Sequence, residues 1–328
     1  MALHAIENVG DAFSAARNFL FPFEFRRWLK LAVVVFFLGG GVSFPTAQFD
    51  VPSTVDPSVG TDIPTVPFEA ITIIVAIVSA IVLLGVLFAL VGAIMEFVFV
   101  ESLRTGDVSI RRHWGRRWRQ GIRLFVFRIV VGLPVLAIFA GWIVLLFAPL
   151  LPASLDLAVP FATLFFVGLP IVFLLSLLYA IIASFTTVFV VPIMIKTDGG
   201  VLSSWALLWN SIKAQPKQYL TYVVIGFVLA LAAGIAGSLV VGLVAAAFFI
   251  PLAILVGLVY VTASLSSTVV IAAVAAAAVL FAAILLVLWL AIQVPVVAYL
   301  RYYALLVLGD IDEELDLIPE QRAAVRAD

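Results

Sequence analysis

The chain has 328 residues, of which 65% are hydrophobic and 11% are charged, and its net charge is −1. A soluble globular protein has roughly half apolar and about a quarter charged residues, so this composition excludes an ordinary soluble domain and predicts an integral membrane protein. Cysteine is absent and the two histidines, His4 and His113, are far apart in the sequence, so we predict neither a metal site nor a cofactor.

Six apolar blocks follow one another along the chain. They lie at about 28–44, 68–101, 124–149, 160–195, 219–249 and 265–305. Apolar runs of about 18 residues or more are typical of transmembrane helices, whereas barrel strands give short alternating segments. The sequence therefore predicts an all-α integral membrane protein with six transmembrane helices.

The basic residues predict the orientation of these helices. All 18 fall on one side of the six-span arrangement. The charged residues of the opposite side are all acidic, namely Asp50, Asp56, Asp62, Glu69 and Asp156. Because short loops rich in Lys and Arg stay in the cytoplasm, we predict a multi-pass protein of the plasma membrane with both termini cytoplasmic.

The segment 247–268 is too apolar for an ordinary outer loop. The alternatives are a hairpin lying in the outer interface or a re-entrant segment covered by protein. Three spans in this region would place Arg301 and the tail outside, which the charge distribution disfavours. We therefore predict six spans, with eight as the alternative. The outer segment from Pro45 to Pro67 is rich in Pro, Thr and Asp and predicts an exposed loop.

Two inner segments match each other. The stretch "FVFVESLRTGDVSIRRHWGRRW", which starts at Phe97, aligns with "FVVPIMIKTDGGVLSSWALLW", which starts at Phe189. The alignment pairs Trp114 with Trp205 and Trp118 with Trp209, and we predict these four tryptophans to be interfacial anchors. The N-terminal segment has a similar pattern. We therefore predict that a membrane domain, 1–309, contains three parallel repeats at about 1–106, 107–198 and 199–309, each an interfacial helix followed by two spans. An acidic cytoplasmic tail, 310–328, follows.

The segment "RRHWGRRWRQGIR" from Arg111 to Arg123 carries six arginines. On a helical projection, Ile110, Trp114, Trp118, Ile122 and Phe125 fall on one side, and Arg112, Arg116, Arg119 and Arg123 fall on the other. This pattern predicts a helix that lies in the membrane interface and faces anionic lipids of the inner leaflet. Docking of a partner protein is the alternative. Nucleic acid is not expected, since both ends run into membrane spans.

Ionisable residues inside the spans are few. Glu96 lies near the inner end of the second span and Arg128 near the start of the third, and we predict that they form an ion pair holding this hairpin. A role in transport is the alternative. The sequence contains no motif of a catalytic site, and the glycines of "TDGG" at Thr197 to Gly200 predict a helix cap.

Two resemblances add to these predictions. The stretch "VFVVPIMIKTDGGVLSSWALLWNSIKAQPKQYLTYVVIG", Val188 to Gly226, is similar to the membrane domain fused to some bacterial glycerophosphodiester phosphodiesterases. The N-terminal "MALHAIENVGDAFSAARNFLFPFEFRRWLKLAVVVFFLGGG" and the preference for Arg over Lys resemble archaeal, in particular haloarchaeal, membrane proteins of unknown function. Neither resemblance implies a catalytic residue in this chain.

We therefore expect an uncharacterised, non-enzymatic membrane module or scaffold that binds a partner protein or anionic lipid at its basic cytoplasmic face. The alternative is a transporter or channel for a small solute.

Overall fold

A computed structural model describes residues 4–39, 68–147, 164–262 and 268–327. Within these ranges the chain is helical and forms no strand, which confirms the all-α class. The helices are α1 His4–Leu20, α2 Phe25–Leu38, α3 Phe68–Thr105, α4 Ile110–Phe147, α5 Leu169–Phe185, α6 Val191–Thr197, α7 Val201–Ala214, α8 Pro216–Thr262, α9 Thr268–Ile311 and α10 Pro319–Ala327. Two π-helical turns, Leu164–Gly168 and Thr186–Val190, flank α5, and a 3₁₀ turn, Glu313–Leu315, precedes α10.

Five helical segments of the described ranges are long and apolar enough to cross a membrane. They are Val75–Thr105, Ile110–Leu146, Phe165–Thr197, Pro216–Pro251 and Val274–Ile311. They correspond to five of the six predicted spans and confirm a membrane protein. The predicted first span, 28–44, is described only to residue 39, and the predicted outer loop from Pro45 to Pro67 lies entirely outside the described residues.

Helix α2 packs antiparallel to the end of α3. Near the start of α2, Arg27 Nη2 donates to the Gly106 carbonyl at 3.2 Å. Towards its end, the rings of Phe37 and Phe88 lie 4.8 Å apart. A Cβ on Gly92 would lie 2.8 Å from the Phe37 carbonyl oxygen, so only glycine permits this approach. The 14 residues of α2 therefore run about 21 Å along α3, away from the basic end of the bundle.

Helix α4 is continuous from Ile110 to Phe147, so the prediction of a separate interfacial helix in the second repeat is wrong. Its 38 residues measure about 57 Å, well beyond the roughly 30 Å hydrocarbon core. In the segment predicted as the third repeat, the break falls at Gln215, between α7 and α8, because Pro216 disfavours a helical conformation of the residue before it. No proline follows Ile110 until Pro134.

Most of the segment 247–268 is helix, since α8 continues to Thr262 and α9 begins at Thr268. Residues 247–262 therefore extend α8 through Pro251. A run of Ala, Val, Leu and Ile without a glycine pair or a second proline supports helix here. Residues 263–267 lie outside the described part of the chain.

The protein core lies at the basic end of the bundle. Fully buried side chains come from the ends of α3 and α9 and from the segment between α5 and α7, and they include Phe97, Leu103, Phe189, Ile193 and Tyr303. The other halves of the long helices expose apolar side chains such as Leu84 and Leu243. Such large apolar surfaces are expected where helices face lipid.

The C-terminal tail folds back on the core. Leu315, Leu317 and Ile318 are buried, and Lys196 Nζ donates to the Asp316 carbonyl at 2.9 Å. Helix α10 contacts α1 through Arg326, whose Nε donates to Asp11 Oδ2 at 3.1 Å. The first and last described helices therefore lie at the same end of the bundle.

Candidate functional site

The start of α4 carries the predicted basic face, which we define as Arg112, Arg116, Arg119 and Arg123. All four side chains are exposed. Arg112 pairs with Asp107 at 2.7 Å, and the Arg119 guanidinium lies 5.5 Å from the centre of the Trp118 ring. Within the described residues, Arg116 and Arg123 form no hydrogen bond or ion pair. The basic face therefore presents at least two uncompensated cations.

The side of α4 that packs on the protein is polar, and sequence reasoning missed it. His113, Arg117 and Gln120 are each less than 10% exposed, and their spacing places them on one helical face. Ser102 donates its hydroxyl hydrogen to the Val98 carbonyl at 2.7 Å, so it accepts from His113 Nδ1 at 3.3 Å. The same face thus fixes α4 to α3 by hydrogen bonds.

Arg117 joins three parts of the chain. Its Nη2 lies 3.2 Å from Glu101 Oε2 on α3, and its Nη1 lies 3.2 Å from Asp198 Oδ1, just after α6. Gln120 Nε2 donates to the same Asp198 oxygen at 2.9 Å and to the Met194 carbonyl at 3.1 Å. The Met194 carbonyl belongs to the last turn of α6, where carbonyl groups lack helical partners. This network holds the basic face in place.

Asp198, rather than a glycine, ends α6. Its φ of 53° lies in the left-handed region, which Asp tolerates better than most residues. Gly200 instead precedes the first residue of α7 as its N-cap, with extended backbone. The prediction that glycines cap this helix is therefore wrong. Asp198 takes the position because its carboxylate also binds Arg117 and Gln120.

The four predicted anchors fall into two environments. Trp114 and Trp205 pack against the core, and Trp205 Nε1 donates to Thr186 Oγ1 at 3.1 Å. Trp118 and Trp209 are exposed. Residues at i and i+4 differ by about 40° around the helix, so the two rings of each pair lie in different surroundings. The matching difference within both pairs agrees with their alignment, and the anchor role of Trp118 and Trp209 stays a prediction.

Glu96 lies at the centre of a second cluster. Its carboxylate is buried and lies 3.5 Å from Arg128 Nη2, so the structure brings the predicted pair together. It also forms a short ion pair with Arg301 of α9, which is equally buried. Arg128 Nη2 donates to Thr187 Oγ1 at 2.7 Å. Sequence reasoning missed Arg301, which is 205 residues from Glu96.

The π-helical turn Thr186–Val190 explains the second bond of Arg301. The Val191 amide donates to the Thr186 carbonyl, five residues back. In this register the Thr187 carbonyl would accept from residue 192, but Pro192 has no N–H. Arg301 Nη1 donates to this free carbonyl. The cluster therefore ties α3, α4, α9 and the segment before α6 together at one point.

A cavity of about 1020 Å³ opens beside this cluster. It lies between α2, α3, α4 and α5, and most of its lining side chains are apolar. Its polar lining residues are Glu96, Arg128, Ser176 and Tyr179. Its volume is at the upper end of the range for ligand-binding sites, which is about 300–1,000 Å³.

The chain matches the model of a family of unknown function, DUF7544, over residues 3–318. It belongs to this family. No curated protein and no solved structure matches the chain. The matched residues include almost all of the predicted membrane domain, 1–309. It supports neither an archaeal source nor a link to the glycerophosphodiester phosphodiesterases, and it assigns no activity.

Proposed function

We propose that the chain is a non-enzymatic membrane module that binds anionic lipid head groups through its basic face. The observation that carries this proposal is the exposure of all four arginines at one end of a span-length helix. Arg112 lies in the first turn of α4, where the helix dipole is positive, and the four like charges repel one another along one face, so they do not stabilise the helix by themselves. An anionic surface would offset this repulsion.

Exposed aromatic side chains accompany the arginines at the same end of the bundle. Trp118 and Trp209 extend from α4 and α7, and Phe13 from α1. Aromatic rings next to basic residues are typical of the membrane–water interface. Each arginine near an anionic surface contributes about 1 kcal/mol to the attraction. The basic face can therefore bind lipid head groups without a partner protein. Binding of a partner protein at this face is the alternative.

We also propose six spans, with the basic end and both termini in the cytoplasm and the protein in the plasma membrane. The contact between α1 and α10 supports an even number of crossings. Five candidates lie in the described residues, and the direction of α2 along α3 favours a sixth crossing in the predicted span 28–44. The predicted threefold repeat is compatible with this arrangement.

The test compares two sets of four substitutions in the full chain, reconstituted with phosphatidylglycerol and phosphatidylcholine. One set replaces the basic face by glutamine. The matched control replaces Arg17, Arg26, Lys213 and Lys217, which are exposed basic residues elsewhere in the chain. Spin-labelled lipids report the preference for phosphatidylglycerol. We expect the first set to lose most of it and the control to keep most; an equal loss in both sets would contradict a defined site.

Transport of a small solute is the second candidate. The cavity beside Glu96 and Arg128 is the observation that favours it. Its walls are apolar over most of their length, which favours an amphiphilic ligand over a hydrophilic one. A flux across liposomes that is lost when Glu96 and Arg128 are replaced would establish transport in place of a static module.

A further inference from the structure

The cluster at the end of the cavity has an excess of positive charge. Arg128 and Arg301 share one carboxylate, that of Glu96, and no other carboxylate of the described residues bonds either arginine. Arg301 is buried, whereas the Arg128 side chain is 28% exposed and lines the cavity. An uncompensated charge near hydrocarbon is costly, so this site favours an anion.

Arg128 has donors available for such an anion. Among the described residues its bonds, to Glu96 and to Thr187, all come from Nη2. A guanidinium carries five N–H donors, so those on Nε and Nη1 remain for the oxygens of an anion. The side chain is therefore held in place by one nitrogen while its other two nitrogens keep their donors.

The remainder of the cavity fits hydrocarbon chains. On α3 its lining extends from Ile81 to Glu96, and on α4 from Phe125 to Phe139. At 1.5 Å per residue, both stretches are about 20 Å long. Half of a bilayer's hydrocarbon core is about 15 Å thick, so the cavity accommodates the chains of a lipid from one leaflet. The charged end lies towards the basic end of the bundle, as the head group of an inner-leaflet lipid would.

We infer that this cavity is a binding site for one anionic phospholipid, whose phosphate contacts Arg128 and whose chains lie along α3 and α4. This goes beyond the proposed function, because the site is separate from the basic face and lies between helices. Contacts of the exposed basic face weaken at high salt, whereas a partly buried phosphate–arginine pair is screened much less. High salt therefore distinguishes the two sites.

The experiment measures the phospholipid that stays with the full chain. The protein is reconstituted with equal amounts of phosphatidylglycerol and phosphatidylcholine of the same chains. It is then extracted in mild detergent and washed at high salt, and the retained lipids are quantified by mass spectrometry. We expect about one phosphatidylglycerol per chain. Equal retention of both lipids would mean ordinary boundary lipid only and would overturn the inference.

Two substitutions test the position of this lipid, each with a matched control. Gly85 lines the cavity and a Cβ there meets nothing within 4 Å, so Gly85→Leu places a side chain in the space proposed for the lipid. Gly234 on α8 has equally open surroundings, and Gly234→Leu is its control. Arg128→Gln removes the anchor, and Lys213→Gln is the control for loss of one exposed cation.

We expect Arg128→Gln to reduce retained phosphatidylglycerol about tenfold or more, as loss of a charged hydrogen bond does, and Gly85→Leu to reduce it by occupying the space of the lipid chains. Both controls keep it. Retention in both test variants at the wild-type level would overturn the site. The substituted basic face is expected to keep the retained lipid although it loses surface preference, so failure of this inference and failure of the proposed function give different results.

Discussion

Arg301→Gln tests whether the Glu96 cluster stabilises the bundle. The substitution removes the closer of the two cations that bind Glu96, whose side chain is only 5% exposed. It also leaves the Thr187 carbonyl without the donor that replaces the missing N–H of Pro192. Removal of one partner of a buried ion pair costs about 3–5 kcal/mol. Because Arg128 still lies 3.5 Å from Glu96, we expect a loss near the lower end, about 3 kcal/mol.

A double-mutant cycle measures this loss. Unfolding of the full chain in mixed micelles gives the free energy for wild type, Arg301→Gln, Glu96→Gln and the double variant. We expect the double variant to lose less than the sum of the single variants, by about 1–3 kcal/mol, since Glu96 and Arg301, the two most buried charges of the cluster, are then removed together. Arg123→Gln, on the exposed basic face, is the control with little change. An effect of Arg301→Gln below about 0.5 kcal/mol, or strict additivity, would refute the reasoning.

Two further predictions concern packing and the tail. Gly121→Ala would place a Cβ 2.6 Å from Ile94 Cγ1, and we expect the free energy of unfolding to fall by about 1–3 kcal/mol in the same assay. In the control, Gly115→Ala, the added Cβ meets nothing within 4 Å. An equal loss in the control would contradict the close approach of Gly121 to Ile94. Arg326→Gln removes the hydrogen bond with Asp310 that raises the pKa of Arg326 above its usual range. We expect faster proteolysis of the C-terminal tail in this variant. An unchanged cleavage rate would show that this contact does not hold the tail in place.

The helical spans could be predicted because a segment that crosses the bilayer needs a long apolar composition, which is visible in the sequence. A run such as Ile71 to Ile94 has to be helical in hydrocarbon, where each backbone polar group needs a partner within the segment. The ends of the helices are less constrained. The break at Gln215 depends on one proline, and without one α4 continues into the basic segment. Helix α7 is therefore separate from α8, whereas the similar segment at the start of α4 is continuous with the rest of that helix.

The clusters could be predicted only in part. Glu96 and Arg128 lie on consecutive helices of one hairpin, so their proximity follows from topology. Arg301 comes from a helix that is distant in the sequence. Its position depends on how α9 packs against the other helices, and the hydrophobic periodicity of the sequence does not predict this packing. Arg117 was hidden among five other arginines of the same segment. Its spacing from His113 and Gln120 marks a polar face, but such a face is expected to be solvated rather than buried.

The most direct test of the central claim is the lipid that accompanies the chain when it is purified from its native membrane. The protein is extracted in mild detergent, and the lipids that co-purify are compared by mass spectrometry with those of the whole membrane. We expect enrichment of anionic phospholipids, of which high salt releases the part bound at the basic face and leaves the part bound in the cavity. Co-purified lipids with the same composition as the membrane, at low and at high salt, would contradict a lipid-binding module.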